Sequence, residues 1–180
     1  MILIINICKD RLHELEFVKP IEDILKKNNI PSITKHYKEI KEYDSISAKK
    51  IIICGTSLKD TKYLENAEDF GWLKNFNKPI LGICGGMQLL ALIHNGKLHK
   101  NCKIGSNKIE FNKPFLNIKE ERNVYSLHNL TAISDEFITF DNSTTPQAIK
   151  HKHKEIYGTL FHPEVRNKDL ILNFCKDLYT

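Results

Sequence analysis

The chain has 180 residues, of which 41% are hydrophobic and 27% are charged; this composition fits one globular domain and excludes disordered and fibrous proteins. The net charge is +5, but the basic residues are mostly scattered lysines that form no stripe with aromatic residues, so we expect no nucleic-acid binding. The apolar runs are far shorter than the roughly 20 residues of a membrane span, and the first residues lack the pattern of a signal peptide. We therefore expect a cytoplasmic protein without a membrane partner.

The first half of the chain alternates between strand-like and helix-like segments. Continuous β-branched runs predict strands that are buried on both faces. An amphipathic segment over 12–29 predicts a helix that is interrupted near Pro20. Further strands are predicted before and after it, with another helix around 61–75, and together they indicate a mainly parallel sheet. The predicted strands are 2–8, 32–37, 49–55 and 79–83.

From residue 97 the predicted strands become short and are separated by Asn, Asp, Pro and Gly. This pattern indicates hairpins and a mixed, partly antiparallel edge of the sheet. An amphipathic helix is predicted over 168–179. We therefore predict one three-layer, flavodoxin-like α/β domain over residues 1–180. The short strand candidates are 108–111, 123–127, 137–141, 147–151 and 155–161.

The five cysteines are odd in number and widely spaced, without a C-x-x-C pair. This spacing argues against a disulfide framework and against a zinc site, and it leaves room for one reactive thiol. The histidines have no ligand spacing either, so the sequence implies neither a metal nor an organic cofactor.

The sequence "GICGG", residues 82–86, matches G-x-C-x-G, the cysteine form of the strand–turn–helix nucleophile elbow. The flanking glycines suit a tight, strained turn, and the N-terminus of the following helix "MQLLALI" favours the thiolate form of Cys84. The backbone N–H of Gly85 would face an oxyanion on an attacked carbonyl. A small buried cysteine beside a structural turn is the alternative. The elbow spacing favours a nucleophile, and we expect its thiol to be exposed.

A thiol nucleophile needs a base and a group that orients the base. The sequence "YGTLFHPEV", residues 157–165, offers His162 at the end of a buried strand and Glu164 two residues later. The intervening Pro163 stiffens the link, so the carboxylate could hold the imidazole in one tautomer. Either motif alone is weak, since seven other histidines compete with His162. Together they predict a Cys–His–Glu site.

These two motifs resemble those of the class I glutamine amidotransferases. "GICGGMQ" stands where that family has its nucleophile, and "GTLFHPEV" stands where it has its catalytic histidine and glutamate. Within the family, the chain is most similar to the separate glutaminase subunits of archaeal GMP synthases. The likeness also includes "TAISDEFITF" and "ILNFCKDL", so it covers most of the chain and is densest in the C-terminal half.

The resemblance implies a role for each matching residue. Cys84 would attack the carboxamide carbon of glutamine, form a thioester and release ammonia. His162 would be the general acid and base, with Glu164 as its partner. The backbone N–H groups of Thr56 and Gly85 would form the oxyanion hole. The positions that would border the substrate glutamine are Gln88, Gly55, Leu127 and His128.

The chain departs from the family pattern in the loops around these residues. Thr56 stands where a glycine is usual, and a β-branched residue tolerates fewer backbone angles. Leu127 and His128 replace a Ser-His pair, and "NICKD" replaces an early Asp-x-Gly-Gly-Gln signature. These changes affect the expected acceptor of the ammonia more than the chemistry of Cys84.

The chain has no P-loop or similar phosphate-binding signature, so it is not expected to activate an acceptor itself. The expected partners are therefore glutamine and an ATP-dependent synthetase subunit on a separate chain, GMP synthase-like by resemblance. Three alternatives stay open. They are a stand-alone γ-glutamyl hydrolase, an amidotransferase subunit for a different acceptor, and a regulatory module without turnover.

Overall fold

The computed structural model of the protein describes residues 1–176, which contain nine strands. The strands are β1 (Ile2–Asn6), β2 (Ser32–His36), β3 (Lys50–Ile53), β4 (Ile80–Ile83), β5 (Lys97–Ile109), β6 (Arg122–Ile133), β7 (Phe137–Thr139), β8 (Ala148–His151) and β9 (Ile156–Thr159). The helices are α1 (Arg11–Phe17), α2 (Lys19–Lys27), α3 (Glu42–Ser47), α4 (Lys62–Glu65), α5 (Gly85–Ile93), α6 (Pro163–Arg166) and α7 (Lys168–Cys175), with 3₁₀ segments at Tyr37–Glu39 and Ala67–Asn75.

Seven of these strands form one sheet in the order β2-β1-β3-β4-β9-β8-β7. The first five are parallel to one another, in the arrangement of flavodoxin-like sheets. Strands β8 and β7 then add antiparallel pairings at the edge. Helix α2 packs with α6 and α7, whereas α5 packs with the 3₁₀ segment 67–75 and with β6. The predicted flavodoxin-like α/β fold with a mixed C-terminal edge is confirmed.

The core follows from the apolar runs of the first half. Every residue of β1, β3 and β4 is buried, as expected of parallel strands that are covered on both faces. The predicted interruption near Pro20 is a break at Val18, with the proline in the first turn of α2, where its missing N–H costs nothing.

Three elements differ from the sequence prediction. The segment 61–75 is mostly 3₁₀ rather than α-helical, and α3 was not predicted. The strands β5 and β6 form a separate two-stranded antiparallel ribbon of 13 and 12 residues, rather than short strands at the sheet edge. Most side chains of β5 are exposed or half-exposed, so no apolar alternation indicates its length. The predicted end of the last helix, beyond residue 176, lies outside the described residues.

None of the helices within residues 1–176 has the length and apolar character that crossing a bilayer would require.

Glycines allow the close approach of α5 to the strands that precede it. A Cβ at Gly86 would lie 2.4 Å from the carbonyl oxygen of Ile53 in β3. A Cβ at Gly82 would lie 2.6 Å from the backbone of Gly86. The turn between β4 and α5 therefore requires glycine for packing at both positions.

We expect Gly86→Ala to destabilise the fold by about 2–3 kcal/mol, although alanine is the better helix former, because the clash is with backbone and cannot be relieved by a side-chain rotation. Thermal or denaturant unfolding measures this change. Gly71→Ala is the matched control, since a Cβ there meets nothing within 4 Å, and we expect it to stay within about 0.5 kcal/mol of the natural chain. Equal stability of the two variants would contradict this packing argument.

Candidate active site

Cys84 lies on the turn between β4 and α5, in a backbone conformation that few residues other than glycine adopt. Its φ is 48° and its ψ is −101°. The turn is held by a 2.7 Å hydrogen bond from the Cys84 N–H to the carbonyl oxygen of Thr159 in β9. Strained backbone of this kind persists where the surrounding structure fixes it, and it is concentrated at functional sites. The geometry is that of the predicted nucleophile elbow.

The Cys84 side chain is buried rather than exposed, with only 4% of the residue accessible. Its thiol donates a hydrogen bond to the carbonyl oxygen of Leu127, at 3.5 Å. Among the described cysteines the exposed one is Cys102, beside an irregularity in the β5–β6 pairing. The expectation of an exposed Cys84 thiol is therefore wrong, because the β6 backbone covers the elbow.

His162 and Glu164 form a buried pair next to this thiol. Nδ1 of His162 lies 2.7 Å from Oε1 of Glu164, and both residues are at most 2% exposed. The backbone N–H of His162 donates to the carbonyl oxygen of Tyr125, which ties the segment after β9 to β6. Nε2 of His162 is buried and has no hydrogen-bond partner within the described part of the chain. Glu164 thus orients the imidazole through Nδ1 and leaves Nε2 available.

Burial alone would lower the pKa of His162, but its interactions with Glu164 and Cys84 outweigh burial and raise that pKa well above its ordinary value. The cationic form of the imidazole is therefore favoured. This charge arrangement suits a thiol nucleophile that is activated by an adjacent base.

Gly55 lies directly beneath the imidazole. A Cβ at this position would be 2.6 Å from Cε1 of His162 and 3.5 Å from Cβ of Cys84. The predicted substrate-loop glycine therefore lies against His162 and Cys84, and a larger residue there would displace His162.

Thr56 and Gly85, the predicted oxyanion-hole residues, line one small cavity together with Cys84. The Thr56 hydroxyl donates a 2.8 Å hydrogen bond to Oδ2 of Asp60, which is also buried. The backbone N–H of Lys9 donates to the same carboxylate oxygen. Asp60 thus fixes the loop that carries Thr56. Asp60 is not among the predicted site residues, although its place as an acidic residue shortly after a buried strand could have indicated it.

The other predicted substrate positions also reach this cavity. Gln88 is held at both ends of its amide, since Oε1 accepts from the Tyr63 hydroxyl at 2.7 Å and Nε2 donates to the carbonyl oxygen of Leu130 at 2.8 Å. Leu127 contributes its carbonyl oxygen to the Cys84 thiol. His128 is buried and its Nε2 lies 3.2 Å from Oδ1 of Asn101. Burial and the nearby His162 and Lys103 lower the pKa of His128 to about 4, so it is neutral at pH 7.

The cavity at Cys84 is small. It has a volume of about 10 Å³, which is room for about one water molecule and too little for an amino acid. Because Gln88 and the Cys84 thiol already have partners within the protein, binding of a substrate requires these contacts to rearrange.

The family model described as glutamine amidotransferase class-I matches residues 14–177. One subunit of the glutamine-hydrolysing GMP synthase of Picrophilus torridus is 33% identical over 107 residues, which are 54% of this chain and 57% of that protein. The glutamine-hydrolysing GMP synthase of Staphylococcus carnosus is 30% identical over 161 residues, which are 78% of this chain and 30% of that protein. The chain thus spans less than two thirds of the length of these curated relatives.

Two solved structures share this fold. A Thermoplasma acidophilum protein, provisionally described as a GMP synthase subunit, superposes with a TM-score of 0.83 at 23% identity, covering 96% of this chain and 90% of that one. A glutamine amidotransferase from Thermotoga maritima superposes with a TM-score of 0.66 at 18% identity, covering 91% and 76%. The family model covers most of the chain, and the chain therefore belongs to the class I glutamine amidotransferases, as a relative of the separate subunits of glutamine-hydrolysing GMP synthases.

Proposed function

We propose that the protein hydrolyses glutamine to glutamate and ammonia, with Cys84 as nucleophile, His162 as general acid and base, and Glu164 as the residue that orients His162. The observation that carries this proposal is the strained elbow of Cys84 beside the buried His162–Glu164 pair. The family to which the chain belongs supports the choice of glutamine, as do relatives whose names describe them as glutamine-hydrolysing.

In the first half of the reaction, the Cys84 thiolate attacks the carboxamide carbon of glutamine. The carbonyl oxygen becomes an oxyanion, which the backbone N–H groups of Thr56 and Gly85 would stabilise. The cationic His162 donates a proton to the departing nitrogen, so the C–N bond breaks and ammonia leaves. The product bound to the enzyme is a γ-glutamyl thioester on Cys84.

In the second half, the now neutral His162 takes a proton from a water molecule that attacks the thioester carbon. The C–S bond breaks, glutamate leaves and the Cys84 thiolate is restored beside a protonated imidazole. Glu164 keeps Nδ1 occupied throughout, so proton transfer is confined to Nε2.

We propose further that residues 1–180 form one glutaminase domain that delivers ammonia to an ATP-dependent synthetase on a separate chain, GMP synthase-like. Two observations support a partner-dependent enzyme. The cavity at Cys84 has too little room for glutamine, and the amide of Gln88 is engaged by Tyr63 and Leu130. A partner that binds the open conformation better than the closed one would raise activity by at most that difference in affinity.

The purified chain alone should therefore be a poor glutaminase. Addition of the synthetase subunit from the same genome, with ATP and acceptor, should raise the steady-state rate of glutamate formation at least about tenfold, equivalent to 1.4 kcal/mol of differential binding. The control is the same mixture with the Cys84→Ala chain, which reports the background of the synthetase. Full activity of the isolated chain, unchanged by any synthetase, would contradict the partner and would favour a stand-alone γ-glutamyl hydrolase.

A further inference from the structure

Three potential metal ligands meet at the end of α5 that is opposite Cys84. His94 is the residue that ends α5, Glu136 lies in the turn between β6 and β7, and His151 is the last residue of β8. Within the described chain these three form the one group of His, Cys, Asp and Glu side chains whose geometry could hold a metal ion. They are 42 and 15 residues apart along the sequence, so no ligand spacing indicates them before the fold is known.

The distances among the three side chains are those of a compact ligand set. Oε2 of Glu136 lies 3.1 Å from Nδ1 of His94 and 3.2 Å from Nε2 of His151. One ligand atom from each residue lies within 4.8 Å of the other two. In a tetrahedral zinc site with bonds of about 2.0–2.1 Å, neighbouring ligand atoms are about 3.3 Å apart. The two contacts of the carboxylate already have this length.

The surroundings of the three ligands are partly pre-organised. The side chains of His94 and His151 are only 4% and 5% exposed, whereas that of Glu136 is 38% exposed, which leaves a route from solvent to the carboxylate. Asn95 donates a 2.7 Å hydrogen bond to the other oxygen of Glu136. Such outer contacts hold ligands in place in metal sites.

His94 faces Glu136 through Nδ1, and its buried Nε2 has no hydrogen-bond partner within residues 1–176. The carbonyl end of α5 lies at the same residue, and the helix dipole favours a cation there.

We propose that His94, Glu136 and His151 bind a divalent transition metal with the coordination preferences of zinc, with water as the fourth ligand. The ion replaces the two contacts of the imidazoles with Oε2 of Glu136. The proton of His94 moves to Nε2, and the proton of His151 moves to Nδ1, which gives up the hydrogen bond from the His153 N–H. No proton is released; two imidazole–carboxylate hydrogen bonds and one backbone hydrogen bond are exchanged for two metal–nitrogen bonds and one metal–oxygen bond.

The role of this site is structural. Cys84 and His94 are separated by the length of α5, about 15 Å at 1.5 Å per residue, so the ion is too distant to touch a substrate at Cys84. It would join the end of the helix that follows the proposed nucleophile to the antiparallel edge of the sheet.

The test is titration of the chelator-treated Cys84→Ala chain with Zn²⁺, followed by calorimetry and thermal unfolding. This chain also carries Cys102→Ala, so that neither the thiol of the proposed nucleophile nor the exposed thiol can compete for the metal. We expect one equivalent of zinc to bind and to raise the melting temperature. His94→Gln and His151→Gln should each weaken this binding at least tenfold, whereas His99→Gln, at an exposed position of β5, should not change it. No binding, or equal binding by His94→Gln, would overturn the proposal.

A second measurement covers the case in which a variant fails to fold. X-ray absorption of the same zinc-loaded chain, with both cysteine substitutions, should show nitrogen and oxygen ligands only, with the scattering of two imidazoles. Sulfur ligation or a single imidazole would overturn the site. Neither measurement uses glutaminase activity, so the outcome is independent of the proposed function.

Discussion

Cys84→Ala should lower glutamine hydrolysis by about 10⁴–10⁶-fold, to the rate without the enzyme, because no other group in the site can form the thioester. The fold should persist, since alanine retains the Cβ and the backbone hydrogen bond from residue 84 to Thr159 does not involve the side chain. Glutamate formation by the chain together with its synthetase is the measurement, with circular dichroism as a check of the fold.

The matched control for this variant is Cys102→Ala, which removes the exposed thiol of the β5–β6 ribbon. We expect it to keep the activity of the natural chain within about twofold. Near-normal turnover by Cys84→Ala, or a comparable loss in Cys102→Ala, would contradict the assignment of the nucleophile.

His162→Asn should be nearly as damaging as Cys84→Ala, with a loss of about 10⁴-fold or more, because the same imidazole serves both proton transfers. Glu164→Gln should lose less, by about one or two orders of magnitude, because an amide can still accept from Nδ1 while it no longer stabilises the cation. Rates of the two variants under the same conditions give this ranking. A larger loss in Glu164→Gln than in His162→Asn would contradict the roles.

The raised pKa of His162 also predicts how stability varies with pH. A histidine with a raised pKa in the folded state stabilises the fold fully below its ordinary pKa of about 6.5, and this contribution is lost as the pH rises through the folded-state value. The difference in unfolding free energy between the natural chain and His162→Asn should therefore be larger at pH 6 than at alkaline pH. A constant or opposite difference would show that the imidazole is not held as a cation.

The parts of the fold and site that sequence predicts are those with local signatures. The runs that form β1, β3 and β4 are apolar at nearly every position, and a strand that is buried on both faces requires this pattern. The turn at Cys84 is indicated by its glycines, because close packing against Ile53 and tight backbone angles restrict the residue type. His162 and Glu164 are two residues apart, so their contact is also local.

The parts that sequence does not predict depend on contacts between distant segments. The β6 backbone covers Cys84 through Leu127, 43 residues away, so the burial of the thiol has no local signal. Asp60 contacts the backbone of Lys9, 51 residues away, and Tyr63 contacts Gln88, 25 residues away, so the roles of both depend on the folded chain. His94, Glu136 and His151 likewise come together only in the folded chain, because they lie at the end of α5, in the turn before β7 and at the end of β8.

The most direct test of the account is to identify the covalent intermediate. The chain with its synthetase is quenched with acid during steady-state turnover of glutamine and analysed by peptide mass mapping. We predict one glutamyl group on the peptide that contains Cys84, bound as a thioester that hydroxylamine removes, and no glutamyl group on the peptides of Cys8, Cys54, Cys102 or Cys175. The Glu164→Gln chain, in which loss of the carboxylate slows turnover, provides a further sample in which the adduct is sought. Formation of ammonia without a thioester on Cys84 in either sample, or with a thioester on another cysteine, would contradict the central claim.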